Sequence, residues 1–168
     1  MGTADPRPSR TLQTIRRIIL ALVALGTLGM STELLLIGHF EDANQLIPLA
    51  IAGVACAVLA WVAVWPTIVS LRSLQFVMLS FIGVGIIGIV LHFKANAEFQ
   101  REIDPTISTF DLLWKVAEAT APPALAPGLM LQLGLLGLVY TYKHPALREE
   151  EPGEFNGGGK AVLLGDDA

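Results

Sequence analysis

A chain of 168 residues in which 53% of side chains are hydrophobic and only 15% charged departs from soluble domains, where about 25% are charged. The mean hydropathy is +0.60, and the net charge of -4 is largely a property of the C-terminal tail, which holds six of the fifteen carboxylates. The few dispersed basic residues exclude a nucleic-acid groove. The single cysteine, Cys56, excludes an intrachain disulfide and a cysteine metal cluster, and inside an apolar run it reads as packing.

Residues 1–14 are polar and contain Pro6, Pro8, Arg7 and Arg10, which predicts a disordered cytoplasmic arm. Arg16 and Arg17 then stand before the first of four long uncharged stretches, residues 18–32, 46–71, 73–93 and 119–142. A bilayer core of about 30 Å takes about 20 helical residues. The expected spans are therefore residues 16–39, 46–66, 72–93 and 124–142, within a membrane domain of residues 15–143. Together with Ser31, Gly29 offers small residues for signal-peptide cleavage, and a mature chain beginning at Thr32 would keep three spans. The run of Leu34, Leu35, Leu36 and Ile37 favours retention of the first span instead.

Between the first two spans, "IGHFEDANQLIPL" carries His39, Glu41 and Asp42. A short outer turn, with Pro48 opening span two, accounts for their position. Pro66 ends span two near Trp65 and makes spans two and three a hairpin. Span three is followed by a long outer loop. There Asp104, preceding Pro105, stops any helix continuing from the span, and Ser108 with Asp111 resembles a capping box. Phe110, Leu113, Trp114 and Ala117 follow at helical spacing, so a short amphipathic helix lies along the interface with Trp114 as anchor.

Pro122, Pro123 and Pro127 lead into span four, where proline is tolerated at a helix start. Residues 144–168 read as a disordered acidic cytoplasmic tail. Its "GGGKA" lacks the first glycine and the hydroxyl of a phosphate-binding loop. Counted in the short flanks of the spans, seven basic residues fall on the side of Arg16 and three on the other, which places both termini inside. The sequence thus predicts an all-α integral membrane four-helix bundle with a short amphipathic helix in the outer loop.

Three spans repeat one spacing: Gly26, Gly29 and Glu33; Gly85, Gly88 and His92; Gly134, Gly137 and Thr141. Small residues let helices approach closely in lipid, so the polar residue closing each stripe is expected to face a neighbouring helix. Glu33 lies roughly 8 Å below the outer end of its span at 1.5 Å per residue. A carboxylate there is a candidate for ion, proton or ligand handling, or for a structural hydrogen bond.

His92 reaches the level of His39, so His39, Asp42, His92 and Glu98 form a candidate divalent-metal set, and the two histidines a candidate haem pair. His39, counted as helical, falls about 120° from Glu33, which leaves the convergence of the two rings open. No nucleophile elbow, zinc-protease motif or dinucleotide fingerprint is present, and no cofactor is expected from motif evidence.

"GHFEDANQLIP" and "LAPGLMLQLGLLGLVYTYKHP" resemble small uncharacterised bacterial four-span membrane proteins over most of residues 30–145. The resemblance implies a bacterial cytoplasmic membrane and transfers no functional residue. The leading expectation is a non-enzymatic accessory or interaction subunit that forms a homo-oligomer or joins a larger membrane complex. The alternative is a binding or transport protein using Glu33, His39, Glu41, Asp42 and His92.

Overall fold

The computed structural model describes residues 10–118 and 125–147. Most of the expected N-terminal arm and acidic tail, together with Pro122 and Pro123, lie outside the described residues. The described chain is helical, with α1 Arg10–Leu36, α2 Ala43–Val64, α3 Ile68–Ile103, α4 Thr109–Ala117 and α5 Leu125–Thr141, followed by a 3-10 turn at Pro145–Leu147. Three helices, α1, α2 and α3, are long and apolar enough to cross a membrane. At 17 residues, α5 reaches only about 26 Å at 1.5 Å per residue.

Residues 10–14, expected in the arm, belong to α1. Good helix formers (Arg10, Leu12, Gln13) stand in this turn, and the Thr14 hydroxyl donates back to the Arg10 carbonyl at 3.0 Å. The start of α2 also differs from expectation. Ala43 opens the helix, because the Gln45 side-chain carbonyl accepts from the Glu41 N–H at 3.0 Å and the Asp42 N–H at 3.4 Å. Pro48 therefore sits in the second turn of α2, where it removes one backbone donor.

Trp65 and Pro66 end α2 as expected. Thr67 caps α3, its hydroxyl accepting from the Ser70 N–H at 3.2 Å. At 36 residues, α3 runs about 54 Å at 1.5 Å per residue, well beyond an apolar core of about 30 Å. It stops at Asp104, as the following proline requires.

Helices α1, α2, α3 and α5 pack as a ring in that order, and α5 closes back onto α1. Each turns one seam inward at alternating three- and four-residue steps: Val23, Thr27, Met30 and Leu34 on α1; Ala52, Ala55, Leu59 and Val62 on α2; Leu71, Leu74, Met78 and Phe81 on α3. This is the spacing of knobs-into-holes packing at shallow crossing angles. The remaining faces are apolar and exposed, as Leu25, Val54, Phe76 and Val139 illustrate.

The tightest seam joins α3 to α5, and two glycine stripes build it. A Cβ on Gly85 would stand 2.8 Å from the Pro127 carbonyl oxygen and 2.9 Å from the Leu131 amide nitrogen. One on Gly134 would stand 2.7 Å from the Met78 carbonyl oxygen. Backbone cannot yield at such distances, so glycine sets how closely these helices approach.

Candidate functional site

The polar groups gather at the two ends of the ring. At one end, α1 stops in a glycine turn. Gly38 adopts φ +69°, a left-handed conformation that glycine takes without steric cost. The Gly38 N–H donates to the Leu35 carbonyl at 3.2 Å and the His39 N–H to the Leu34 carbonyl at 2.9 Å. This pair of bonds is the Schellman closure of a helix C-terminus.

The turn lifts His39 off the face it would occupy on a continuous helix. Its ring reaches His92 on α3, with centroids 6.3 Å apart and planes inclined by 24°. The structure thus brings together His39 and His92, whose convergence continuous helical numbering leaves open. A glycine just past an apolar run was the available signal for this geometry.

The carboxylates of the expected set do not join the histidines. Glu41 and Asp42 are exposed on the turn, where their amides serve the start of α2. Glu98 pairs with Lys94 on its own helix at 3.7 Å, both side chains well exposed. Among the described residues, no group of three His, Cys, Asp or Glu side chains is placed to hold a metal ion.

Glu33 departs from expectation more sharply. Of the three residues that close glycine stripes, Thr141 faces a neighbouring helix and accepts from Gln75 Nε2 at 3.2 Å, and His92 meets His39. Glu33 is exposed, and a Cβ on Gly29, one turn before it, would find no atom within 4 Å. The reason is rotational: the α1 seam runs through Met30 and Leu34, which turns Gly29 and Glu33 outward.

Beyond α3, α4 folds back on its parent helix. Ser108 caps it, accepting from the Asp111 N–H at 3.2 Å while its hydroxyl donates to the Asp111 carboxylate at 2.7 Å. Leu112 and Val116 bury against Ala97, with Phe93 and Ile107 beside them. The expected stripe of Phe110, Leu113 and Trp114 is left outward, Trp114 at 60% exposure. An open cleft of about 430 Å³ along α4 is lined by Asp104, Asp111, Lys115 and Glu118 among others. The amide and hydroxyl of Thr106 donate to Asp104, which holds its carboxyl below the usual range.

The opposite end carries a polar cluster absent from the expected site residues. The Arg16 guanidinium donates to the carbonyls of Tyr142 at 3.2 Å and Lys143 at 2.9 Å, so a cation satisfies the open C-terminus of α5. His144 packs on Tyr140 with ring centroids 5.5 Å apart, and its Nδ1 accepts from the Ala146 N–H at 3.3 Å. Burial, and next the charge of Arg16, hold the His144 imidazole below its ordinary pKa. The lone Gln75 in an uncharged run, and a histidine just past another, were the signals in the sequence.

Among the described residues, the buried polar side chains inside the ring are Thr27, Ser70 and Thr141. Each hydroxyl donates to a carbonyl of its own segment: Val23 at 2.7 Å, Trp65 at 2.8 Å and Leu138 at 2.9 Å respectively. Among the described residues, no buried side-chain polar atom lacks a partner. No family model matches this chain, and no curated protein or solved structure matches it.

Proposed function

We propose that this chain is a multi-pass protein of a bacterial cytoplasmic membrane. In this reading α1, α2, α3 and α5 all span, both termini are cytoplasmic, and the protein works without catalysis as an accessory or interaction subunit. The observation that carries the reading is the interior of the ring. Among the described residues it is apolar, and the three buried hydroxyls there are already spent on nearby backbone carbonyls, so these residues form no continuous polar track for an ion, a proton or a substrate. What the molecule offers is its outside.

Three apolar helices of spanning length support the membrane location. Counting α5 as the fourth span is supported by its antiparallel packing along α3, with Thr141 at the level of Gln75 and Pro127 at that of Gly88. Docked on α3 through Leu112 and Val116, α4 leaves Phe110 and Trp114 free to enter the outer headgroup layer.

Extraction of the full chain in a mild detergent, followed by native mass spectrometry, tests the role. A particle heavier than 18.0 kDa that contains a second protein at fixed stoichiometry is the expected result. An isolated 18.0 kDa chain that also carries ions or protons across vesicle membranes overturns it.

The approach of His39 and His92 favours a second reading, a ligand-, haem- or metal-binding membrane protein. Two imidazoles at this spacing supply two nitrogen donors, and with no third protein ligand gathered among the described residues, water or the ligand itself would complete the coordination. An absorption spectrum with elemental analysis decides it. A Soret band or a stoichiometric metal, lost in His92→Ala, supports this reading; a colourless and metal-free protein removes it.

A further inference from the structure

We propose that the outward face of α1 around Glu33 docks a transmembrane helix of a different protein, one that carries a lysine or arginine at the level of Glu33. This rests on the association role proposed above and specifies its surface and partner chemistry. Glu33 lies one turn before the end of α1, exposed, and its carboxylate has no hydrogen-bond or ion-pair partner among the described residues. It is not at the rim of the apolar surface, since Leu36, Ile37 and Phe40 beyond it are all exposed, Leu36 at 81%. An ionisable side chain within an apolar band is expensive in lipid and calls for a partner.

The neighbouring groups of the chain do not provide one. The Ser31 hydroxyl donates to the Thr27 carbonyl at 2.7 Å and the Thr32 hydroxyl to the Leu28 carbonyl at 2.8 Å, so both nearby hydroxyl donors are used. The space beside the carboxylate is also shaped for a helix. With Gly29 open and one turn away, an incoming backbone can come close to α1, as small residues allow in lipid.

A second copy of this chain fits poorly. Copies inserted with one topology meet in parallel, which sets Glu33 against Glu33 and adds a like charge in place of a counter-ion. Arg16 and Arg17 of such a copy lie about 25 Å away along the helix at 1.5 Å per residue. A cation on a different helix satisfies the carboxylate, and a guanidinium does so with two hydrogen bonds.

The test uses the full chain in phosphatidylcholine vesicles, with a fluorescent donor at its N-terminus and acceptor-labelled synthetic transmembrane peptides. The peptides are Leu/Ala helices that differ at one position at the depth of Glu33, where they carry Lys, Leu or Glu. Energy transfer should show the Lys peptide associating at least about threefold more tightly than the Leu peptide, with the Glu peptide weakest. Glu33→Leu should erase the difference between Lys and Leu, and Gly29→Ile, which leaves the carboxylate in place, should weaken binding of the Lys peptide.

Equal association of the Lys and Leu peptides with the unmodified chain overturns the proposal without recourse to any variant. So does a Lys preference that survives Glu33→Leu. Glu33-dependent transfer between donor- and acceptor-labelled copies of the chain, stronger than transfer to the Lys peptide, overturns it in favour of self-association. The two readings fail separately. A Lys preference without any complex in native membranes removes the accessory role and keeps the docking face, whereas a stable complex unaffected by Glu33→Leu keeps the role and removes the face.

Discussion

Three glycine stripes share one spacing in this molecule, and they meet opposite surroundings. On the α3–α5 seam, Gly85 and Gly134 are pressed against backbone of the opposite helix, whereas Gly29 on α1 borders nothing within 4 Å. The difference teaches that a small-residue stripe is an offer of close approach, which a neighbour has to take up. Helix α5 turns its own stripe toward α3, and toward α1 it presents Leu133, which covers Gly26 and stops short of Gly29.

Adding one methyl group at each site is the most direct way to break this comparison. Gly85→Ala and Gly134→Ala should each destabilise the fold by about 1–3 kcal/mol, the usual cost of overpacking. Gly29→Ala should stabilise it by about 0.5–1 kcal/mol through lost backbone freedom in the unfolded chain. Thermal unfolding of the three variants in one detergent measures all three signs, and a destabilised Gly29→Ala would mean that the α1 face is already covered within this chain.

A smaller effect is expected where the seam meets the polar end. Arg16→Ala leaves the last carbonyls of α5 without their cation and should cost about 1 kcal/mol, read as a lower melting temperature and faster amide exchange in residues 138–143. Smaller again is the bond from Gln75 to Thr141. Thr141→Val removes its acceptor and should cost about 0.6 kcal/mol, the average for a hydrogen bond between membrane helices.

The smallest effect is pH-dependent. His144 titrates below its ordinary value in the folded protein, so between about 6.5 and that lowered value the unfolded chain binds more protons than the folded one. Stability therefore rises with pH through this window and is lost as pH falls. Melting temperatures recorded from pH 7.5 down to pH 5.5 should decline, and His144→Gln should flatten the decline.

The elements written in local chemistry were legible in the sequence. Pro66 and Pro105 bracket α3, Ser108 marks the start of α4, and the uncharged runs locate the long helices, because these signals act within a few residues of where they stand. The early starts of α1 and α2 were less so. Arg10 and Ala43 become helical through a hydroxyl back-bond and a glutamine that reaches back over the first turn, and neither shows in an apolar window.

The site divided the same way. Glu33 stood out by residue type alone, while its orientation did not, since a stripe on one helix gives no information about which face the neighbours use. His39 was placed by continuing the helix numbering past Gly38, and one residue at φ +69° redirected it onto His92.

By itself, the sequence determined that the chain is helical and apolar, where its helices break, and which few polar side chains share the apolar segments, because length, hydropathy and turn chemistry are properties of consecutive residues. Only the tertiary structure decided that α5 closes the ring between α3 and α1, that two glycine stripes interlock while the third is covered at Gly26 and open at Gly29, and that Glu33 faces outward as His39 turns to His92. Those outcomes depend on which helix stands beside which and at what rotation, and packing between distant segments sets both.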